Sequence, residues 1–437
     1  MLWWEAALLL VGGLVALMAI GVPVAIAFLA VNILGVLIFM GGMAGVDQLV
    51  ANASGALTTF TLVPVPLFMI MGELFFHTGL ATRVFDALDK CLGGLPGRLS
   101  YMTVGGGTVF ATLSGSSMAN TAMLGSLMVP EMTRRGYKKH MIMGPILATG
   151  GLAMIIPPST LAVLLGSLAR LDVGALLIAG LLPGVILALL YVIVIRLQIA
   201  RDPQAAPGYA TQRPSAGEIA RALLVNVLPM GLVVFSVIGL ILLGWATPTE
   251  SAAFGVLSVI LLALLYRCLT WSAIVKALKG ALAVTAMMFL IILGSSTFSQ
   301  VLAFSGATAG LLAWATDFEV SRYVMLLGML LILVLLGMFM DQLSMMMLTL
   351  PIFIPLVMSL GFDPVWFGIL MLLALELSLT TPPFGMLLFV MMGVGPPGTK
   401  LGEVALAAAP YIACSLLVMV LLTAFPQIVL FLPQIIG

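Results

Sequence analysis

Two stretches of this chain, one in each half, repeat the same order of polar residues and prolines. Each has a short polar interruption in an apolar run, then a single proline, then a Pro-Pro pair in the next apolar run. A constant spacing of this kind indicates two tandem copies of one ancestral unit. Four prolines of the first half have a partner in the second half at one constant offset: Pro23 with Pro248, Pro130 with Pro355, Pro157 with Pro382, and Pro158 with Pro383.

The chain is too apolar for a soluble domain. It is 62% hydrophobic and 8% charged, with a mean hydropathy of +1.27, whereas soluble domains are about a quarter charged. Apolar runs of about 20 residues recur along the sequence and predict an all-α polytopic protein of the lipid bilayer. The net charge of +1 argues against a nucleic-acid partner, and the three cysteines lack the spacing of a disulfide or metal site.

The basic residues predict how the chain is threaded through the membrane. Lys and Arg concentrate on the cytoplasmic side, and here they form four clusters, at 83–98, 134–139, 196–221 and 267–279. We expect a first repeat at 1–200, a cytoplasmic linker at 201–222 and an inverted second repeat at 223–437. Both termini are then periplasmic. About ten spans are expected, the last at 408–434, and the first apolar run is expected to be retained because it lacks signal-peptide features.

Re-entrant helical hairpins are expected at about 99–130 and about 324–360. Arg98 and Arg134 must lie on the same side of the membrane, although the residues between them are mostly apolar. Two limbs of roughly 20 Å, at 1.5 Å per residue, enter the membrane without crossing it, and they meet at the polar tip Ser114–Ser117. The alternative is a pair of short full spans joined by a tight turn, which the limb length disfavours.

Each hairpin is followed by an apolar run that a Pro-Pro pair interrupts, at about 141–169 and 365–395. Proline removes a backbone donor and breaks a helix, although a single kinked helix is the simpler alternative. Paired interruptions in corresponding positions of two halves point to a transport site. The predicted fold is therefore two inverted repeats, each with a re-entrant hairpin and a broken transmembrane helix that meet near mid-membrane.

The polar groups near these interruptions suit ions without a side-chain cation. All 17 Lys and Arg lie outside the predicted limbs and breaks. Broken helices offer N-terminal ends that attract a carboxylate, and free carbonyls that attract Na⁺. The hydroxyls that add hard oxygen ligands are Ser114, Ser116, Ser117, Thr121, Ser159, Thr160, Ser344, Thr380 and Thr381.

Four acids lie in apolar surroundings, where a carboxylate is expensive and functional by default. Asp341 corresponds to Ser116 at the other tip, so we favour a role in a cation site or in coupling. Glu376, which precedes the second break, either faces the site or is a satisfied structural group. Glu73 and Glu250 lie on framework helices, where a hydrogen-bonded structural role is favoured.

Several motifs together resemble one family. The run SGSSMANTAMLGSLMVP with the following IIPPST resembles the large membrane subunit of tripartite ATP-independent periplasmic (TRAP) transporters of the C4-dicarboxylate type. The runs GVPVAIA, PLFMIMGELF, ATPTESAAFG and LELSLTTPPFGMLLFV are similar to further parts of that pattern, in the same order. The chain departs from the pattern at Asn120, Ser378 and Leu387, where the family usually has Asp, Gly and Asn, and these positions leave the substrate open.

The resemblance implies a Na⁺-coupled importer of a small organic acid, with an elevator motion, in the bacterial inner membrane. It implies a small four-helix membrane subunit and a soluble periplasmic substrate-binding protein as partners. It also implies one cation site where each tip meets a break: Ser114, Gly115, Ser116 and Ser117 with Pro157 and Ser159, and Asp341, Gln342 and Ser344 with Thr380, Thr381 and Gly385. The substrate is expected at Ser116, Asn120, Thr121, Pro158, Thr160, Thr381 and Pro383.

Two other functions are weighed against this one. A stand-alone symporter of Na⁺ and divalent anions would follow the same inverted-repeat logic without a binding protein. An intramembrane enzyme is disfavoured because the sequence has no His-rich or paired-acid constellation. A zwitterionic cargo would suit the uncharged pocket as well as a dicarboxylate.

Overall fold

The computed structural model describes the whole chain except residues 94, 209–214, 318–319, 338–339, 383–384 and 437. The described residues form twenty helices and no strand, which confirms the predicted all-helical fold. The helices are α1 Trp3–Ala19, α2 Val24–Phe39, α3 Met43–Leu57, α4 Pro64–His77, α5 Leu80–Leu92, α6 Arg98–Ser114, α7 Ser117–Arg134, α8 Lys139–Leu152, α9 Thr160–Ala169, α10 Val173–Arg201, α11 Gly217–Leu242, α12 Pro248–Leu265, α13 Trp271–Phe304, α14 Ala307–Asp317, α15 Arg322–Leu336, α16 Gln342–Ser359, α17 Pro364–Thr380, α18 Met386–Val394, α19 Leu401–Ala424 and α20 Gln427–Ile436.

The helices are those of a multi-pass membrane protein. Among the residues that the structure describes, seven segments are long and apolar enough to cross a bilayer: Phe60–His77, which includes α4, and α10, α11, α12, α13, α16 and α19. Large apolar side chains face outward along them, for example Trp271 and Leu406 with 78% and 76% of their surface exposed, as expected for a surface that contacts lipid. Six of the ten predicted spans are among these seven segments, and the seventh segment, α16, was predicted as a limb of the second hairpin. The other four predicted spans correspond to α1, α2 and the two broken helices, whose halves are shorter than a full span.

Helix boundaries recur at the spacing of the paired prolines. Both α7 and α16 have 18 residues, and their first residues, Ser117 and Gln342, are separated by the same offset as Pro130 and Pro355. Each helix is followed by a glycine with left-handed backbone, Gly136 with φ of 77° and Gly361 with φ of 72°, a conformation that ends helices. The same local signals therefore shape both halves, while their inverted orientation in the membrane stays a prediction.

The two most buried helices are the first halves of the broken helices. Every side chain from Met141 to Leu152 in α8 is buried, and so is every side chain from Trp366 to Thr380 in α17. These two helices pack against each other and against α10. Helix α8 also contacts both limbs of the first hairpin, α6 and α7, so the first hairpin packs directly on the first broken helix.

Helices α2, α4, α12 and α13 form an outer layer. Helix α13 packs on α2, α3 and α4, and α12 packs on α4. With 34 residues, α13 is about 51 Å long at 1.5 Å per residue, longer than the hydrocarbon core of about 30 Å. This layer meets the central helices through contacts of α4 with α6 and α9, and of α13 with α16.

Three predicted boundaries differ from the structure. The last span, predicted at 408–434, is two helices, α19 and α20, because Pro426 disfavours the helical conformation at Phe425. Helix α11 begins within the predicted linker, where Ser215 and Glu218 form a capping box. The basic loop after α4 contains the helix α5, which buries one face through Leu80 and other apolar residues.

Candidate functional site

The first hairpin tip is a tight turn between α6 and α7. After α6 ends at Ser114, Gly115 adopts left-handed backbone with φ of 60°, which glycine reaches at little cost. Ser116 then caps α7, its hydroxyl accepting a hydrogen bond from the Ala119 amide at 3.3 Å. Ser117 is buried in the first turn of α7, and the side chain of Ser114 lies outside the described residues.

The first broken helix is interrupted between α8 and α9. The intervening segment contains Pro157 and Pro158, joined by a cis peptide bond. Ser159 caps α9, its hydroxyl accepting from the Ala162 amide at 3.2 Å. The N-terminal end of α9 therefore begins in the protein interior, where its remaining amides are available to an anion.

The first tip lies directly against this break. A Cβ atom placed on Gly115 would be 2.6 Å from Thr160 Oγ1 and 3.8 Å from the Pro158 carbonyl oxygen. A Cβ atom placed on Gly150 would be 2.1 Å from Thr121 Oγ1. Both the 2.6 Å and the 2.1 Å distances are too short for a side chain, so glycine at these positions permits the hairpin to approach the broken helix closely.

Three buried oxygens beside this contact have no hydrogen-bond partner within the described part of the chain. They are Asn120 Oδ1, Thr121 Oγ1 and Thr160 Oγ1, on residues that are at most 1% exposed. The Asn120 amide group donates to the Thr149 carbonyl at 2.8 Å, which fixes the side chain. Buried polar groups are rarely left without a partner, so these oxygens are candidates for binding a ligand.

The second tip places Asp341 at the start of α16. Its carboxylate accepts hydrogen bonds from the amides of Leu343 and Ser344 at 3.1 and 3.3 Å, and from the Ser344 hydroxyl. Asp341 is therefore the N-cap of α16, as Ser116 is of α7. The Gln342 side-chain amide nitrogen is buried without a partner among the residues described here.

The second break follows α17. The hydroxyls of Thr380 and Thr381 both donate to the Leu377 carbonyl, at 3.1 and 2.6 Å, which leaves their lone pairs free to accept or to bind a cation. Gly385, the cap of α18, donates its amide to the Thr381 carbonyl at 3.2 Å. Pro383 lies outside the described residues, so its predicted role is not located.

Glu376 belongs to neither tip. It is 3% exposed and lies where α17 packs on α8: a Cβ atom on Gly151 would be 2.2 Å from Glu376 Oε1. The Tyr191 hydroxyl donates to the same oxygen at 3.3 Å. No sequence pattern pointed to Tyr191. Gly151 and Glu376, however, stand at the offset that relates the paired prolines, so they are equivalent positions of the two repeats.

The other acids have structural partners. Glu250 forms a capping box with Thr247 at the start of α12, with bonds of 2.8 Å from the Thr247 amide and hydroxyl. Glu73 pairs with His77 at 3.3 Å on α4. Outside the membrane helices, Lys138 donates to Asp202 and lowers the pKa of that carboxyl below its usual range.

A family model and the sequences of known relatives identify the same family. A family model described as "Tripartite ATP-independent periplasmic transporter, DctM component" matches residues 11–428. The C4-dicarboxylate TRAP transporter large permease protein DctM of Pseudomonas aeruginosa is 33% identical over 380 residues, which cover 86% of this chain and 87% of the relative. The sialic acid TRAP transporter large permease protein SiaM of Vibrio cholerae is 27% identical, with 97% of each chain covered.

Solved transporter structures share the architecture. The YdaH transporter of Alcanivorax borkumensis superposes with a TM-score of 0.63 at 16% identity, covering 90% of this chain and 91% of that one. The MtrF structure of Neisseria gonorrhoeae superposes with a TM-score of 0.59 at 16% identity, covering 86% and 82%. At this level of identity the likeness is one of fold alone.

Proposed function

Because the chain belongs to the tripartite ATP-independent periplasmic (TRAP) transporter family, DctM component, we propose that it imports a small organic acid by coupling its uptake to Na⁺. Its relatives are transporter permease subunits and not enzymes. The observation that carries the proposal is the contact of the first tip with the first break, where buried oxygens lack partners among the described residues. The proposal therefore concerns what those oxygens bind.

Na⁺ suits the donor atoms at both tip–break contacts. Hydroxyl, amide and backbone carbonyl oxygens are hard ligands, which bind hard cations. In the first repeat, we assign the cation to the segment Ser114–Ser117 with Pro157 and Ser159, close to the Thr160 hydroxyl. In the second repeat, we assign it to Asp341, Gln342 and Ser344 with Thr380, Thr381 and Gly385.

The substrate is proposed to lie between these cations, against the half-helix ends. The N-termini of α7 and α9 carry partial positive charge and amide donors that suit a carboxylate. Around them stand Ser116, Asn120, Thr121, Pro158, Thr160, Thr381 and Pro383. The curated relatives are named for C4-dicarboxylates, sialic acid and ectoine, so the family accommodates cargoes of different size, and we assign only the class of small organic acids.

The two layers of helices fit an elevator motion. In this proposal the hairpins and broken helices, with the helices packed on them, carry the cargo as one body past the outer layer of α2, α4, α12 and α13. The partners are a small four-helix membrane subunit and a periplasmic binding protein that delivers the substrate. The setting is the bacterial inner membrane, with both termini in the periplasm.

Uptake into proteoliposomes tests this function. The chain is reconstituted with its membrane partner, and radioactive substrate is supplied with or without the binding protein, under a Na⁺ gradient or an equal choline gradient. We expect uptake only when both Na⁺ and the binding protein are present. Uptake that proceeds with choline contradicts Na⁺ coupling, and uptake without the binding protein identifies a stand-alone symporter instead.

A further inference from the structure

Glu376 and Gly151 meet where the two repeats touch. They are equivalent positions of the repeats, and each lies in the last turn or two of the helix that precedes a break, α17 and α8. A Cβ atom on Gly151 would lie 2.2 Å from Glu376 Oε1, 2.4 Å from its Cγ and 2.5 Å from its Cδ. The carboxyl group therefore fills the space that any side chain at its equivalent position would require.

Tyr191 of α10 holds this carboxyl group from a third element. Its hydroxyl lies 3.3 Å from Glu376 Oε1 and 3.4 Å from the Ser415 hydroxyl. Its ring packs edge-on against the ring of Tyr411, with centroids 5.4 Å apart. Glu376 thus joins α8, α10, α17 and α19 within one small polar cluster.

The cluster surrounds a cavity of about 10 Å³, enough for one water molecule. Glu376 Oε2 and the Tyr411 hydroxyl are buried and have no hydrogen-bond partner in the described part of the chain. Both residues line this cavity together with Thr380. The cavity reaches the second break through Thr380, the last residue of α17.

We propose that Glu376 is a positioning residue for both cation sites, because its carboxyl group, seated on Gly151 and held by Tyr191, sets the separation of the two helix breaks. This inference rests on the proposed Na⁺ coupling. The break after α8 begins just beyond Gly151, and the break after α17 begins at Thr381. The Glu376 carboxyl group, which we call the brace, connects the two helical turns that precede the breaks and therefore fixes the positions of both sets of oxygen ligands. Ion sites tolerate only about 0.5 Å of misplacement.

A different role, in which the Glu376 carboxylate itself binds Na⁺, predicts other results. A carboxylate ligand contributes a negative charge as well as an oxygen, and glutamine keeps only the oxygen, so Glu376→Gln would then weaken Na⁺ binding well beyond threefold. A brace acts through shape and through one accepted hydrogen bond, both of which glutamine keeps. Glu376→Gln and Glu376→Ala therefore separate the two roles.

The experiment measures the Na⁺ concentration that gives half-maximal uptake in proteoliposomes that contain the complete transporter. We expect Gly151→Ala and Glu376→Ala to raise it by about tenfold, as expected for a shift of roughly 1 Å in a preorganised site, while the maximal rate changes much less. Glu376→Gln is expected to stay within about threefold of wild type, a factor that corresponds to less than one hydrogen bond. Gly393→Ala is the matched control, since a Cβ atom there meets nothing within 4 Å.

The double variant Gly151→Ala with Glu376→Ala gives a second test. Removing the carboxyl group makes room for the new methyl group. The double variant is therefore expected to need no more Na⁺ for half-maximal uptake than Glu376→Ala alone, because the effects of substitutions at contacting residues are not additive. If Gly151→Ala does not fold, Glu376→Ala, Glu376→Gln and Tyr191→Phe decide the question.

Each outcome has one meaning. Unchanged Na⁺ dependence in Glu376→Ala, beside a Na⁺-dependent wild type, overturns the brace and leaves the proposed function intact. An equal loss of Na⁺ affinity in Glu376→Gln and Glu376→Ala assigns the carboxylate a charged role and also overturns the brace. A wild type that takes up substrate without Na⁺ refutes the proposed function, and the brace falls with it.

Discussion

Gly115→Ala probes the contact between the first tip and the first break. Gly115 has left-handed backbone with φ of 60°, and a Cβ atom there would lie 2.6 Å from Thr160 Oγ1. The matched control is Gly136→Ala, which has φ of 77° and open space around the new methyl group. Both variants are expected to lose about 1–2 kcal/mol of folding free energy from the left-handed conformation.

Only Gly115→Ala is expected to weaken Na⁺ binding. The new methyl group is about 1 Å short of an ordinary contact, so the tip or Thr160 must move, and we expect roughly tenfold weaker binding in a site this closely defined. At a Na⁺ concentration about ten times the Kd of the first site, Na⁺ bound at that site stabilises the wild type by about 1.4 kcal/mol. Tenfold weaker binding leaves about 0.4 kcal/mol.

Unfolding of the purified chain in detergent, in NaCl or in choline chloride at equal ionic strength, measures this difference. The Na⁺-dependent stabilisation of Gly115→Ala is expected to be about 1.0 kcal/mol smaller than that of the wild type, because the second cation site is unaffected. Gly136→Ala is expected to keep the full effect despite its lower overall stability. Equal Na⁺-dependent stabilisation of the two variants would show that the tip does not hold the cation, and the reasoning would be wrong.

Three further predictions follow from single contacts. Ser116→Ala and Asp341→Asn each weaken one N-cap, and the alanine change is expected to cost about 0.5–2 kcal/mol of stability. Both variants are expected to raise the Na⁺ concentration that uptake requires while expression stays normal. Unchanged Na⁺ dependence would refute both site assignments. Trp366→Phe removes a buried 2.8 Å hydrogen bond to a backbone carbonyl of α19 and is expected to cost about 1–3 kcal/mol of stability in denaturant unfolding, whereas a loss near zero would show that the carbonyl finds another donor. The Lys139–Glu403 pair, at 2.8 Å and partly exposed, is expected to contribute about 0.2–1 kcal/mol in a double-mutant cycle, and a coupling above that range would show that it is effectively buried.

The sequence contains the local signals that place the helix ends. The caps Ser116 and Asp341 begin α7 and α16, and Pro157-Pro158 lie in the gap between α8 and α9. Such signals act within a few residues, so they can be read without knowledge of the fold. The all-helical membrane fold and the family were confirmed, whereas the inverted orientation and the elevator motion stay predictions.

Contacts between distant elements could not be derived in the same way. That Glu376 rests on Gly151 depends on the packing of two helices from different halves of the chain, and Tyr191 joins them from a third. Apolar helices give little periodic signal about which face meets a neighbour, because lipid and interior are both apolar. The glycine at 151 was the one available clue, since it is the repeat equivalent of a buried acid.

The central claim is that the tip–break contact of the first repeat, where buried oxygens have no protein partner among the residues that the structure describes, binds Na⁺. Equilibrium binding of radioactive sodium to the purified chain, with Thr160→Val as a variant of nearly equal shape, tests it most directly. We predict saturable binding by the wild type and at least about tenfold weaker binding at the first site in the variant, since the methyl group replaces the buried Thr160 hydroxyl beside the assigned cation. Equal binding by the two proteins, or no saturable binding by the wild type, would contradict the account.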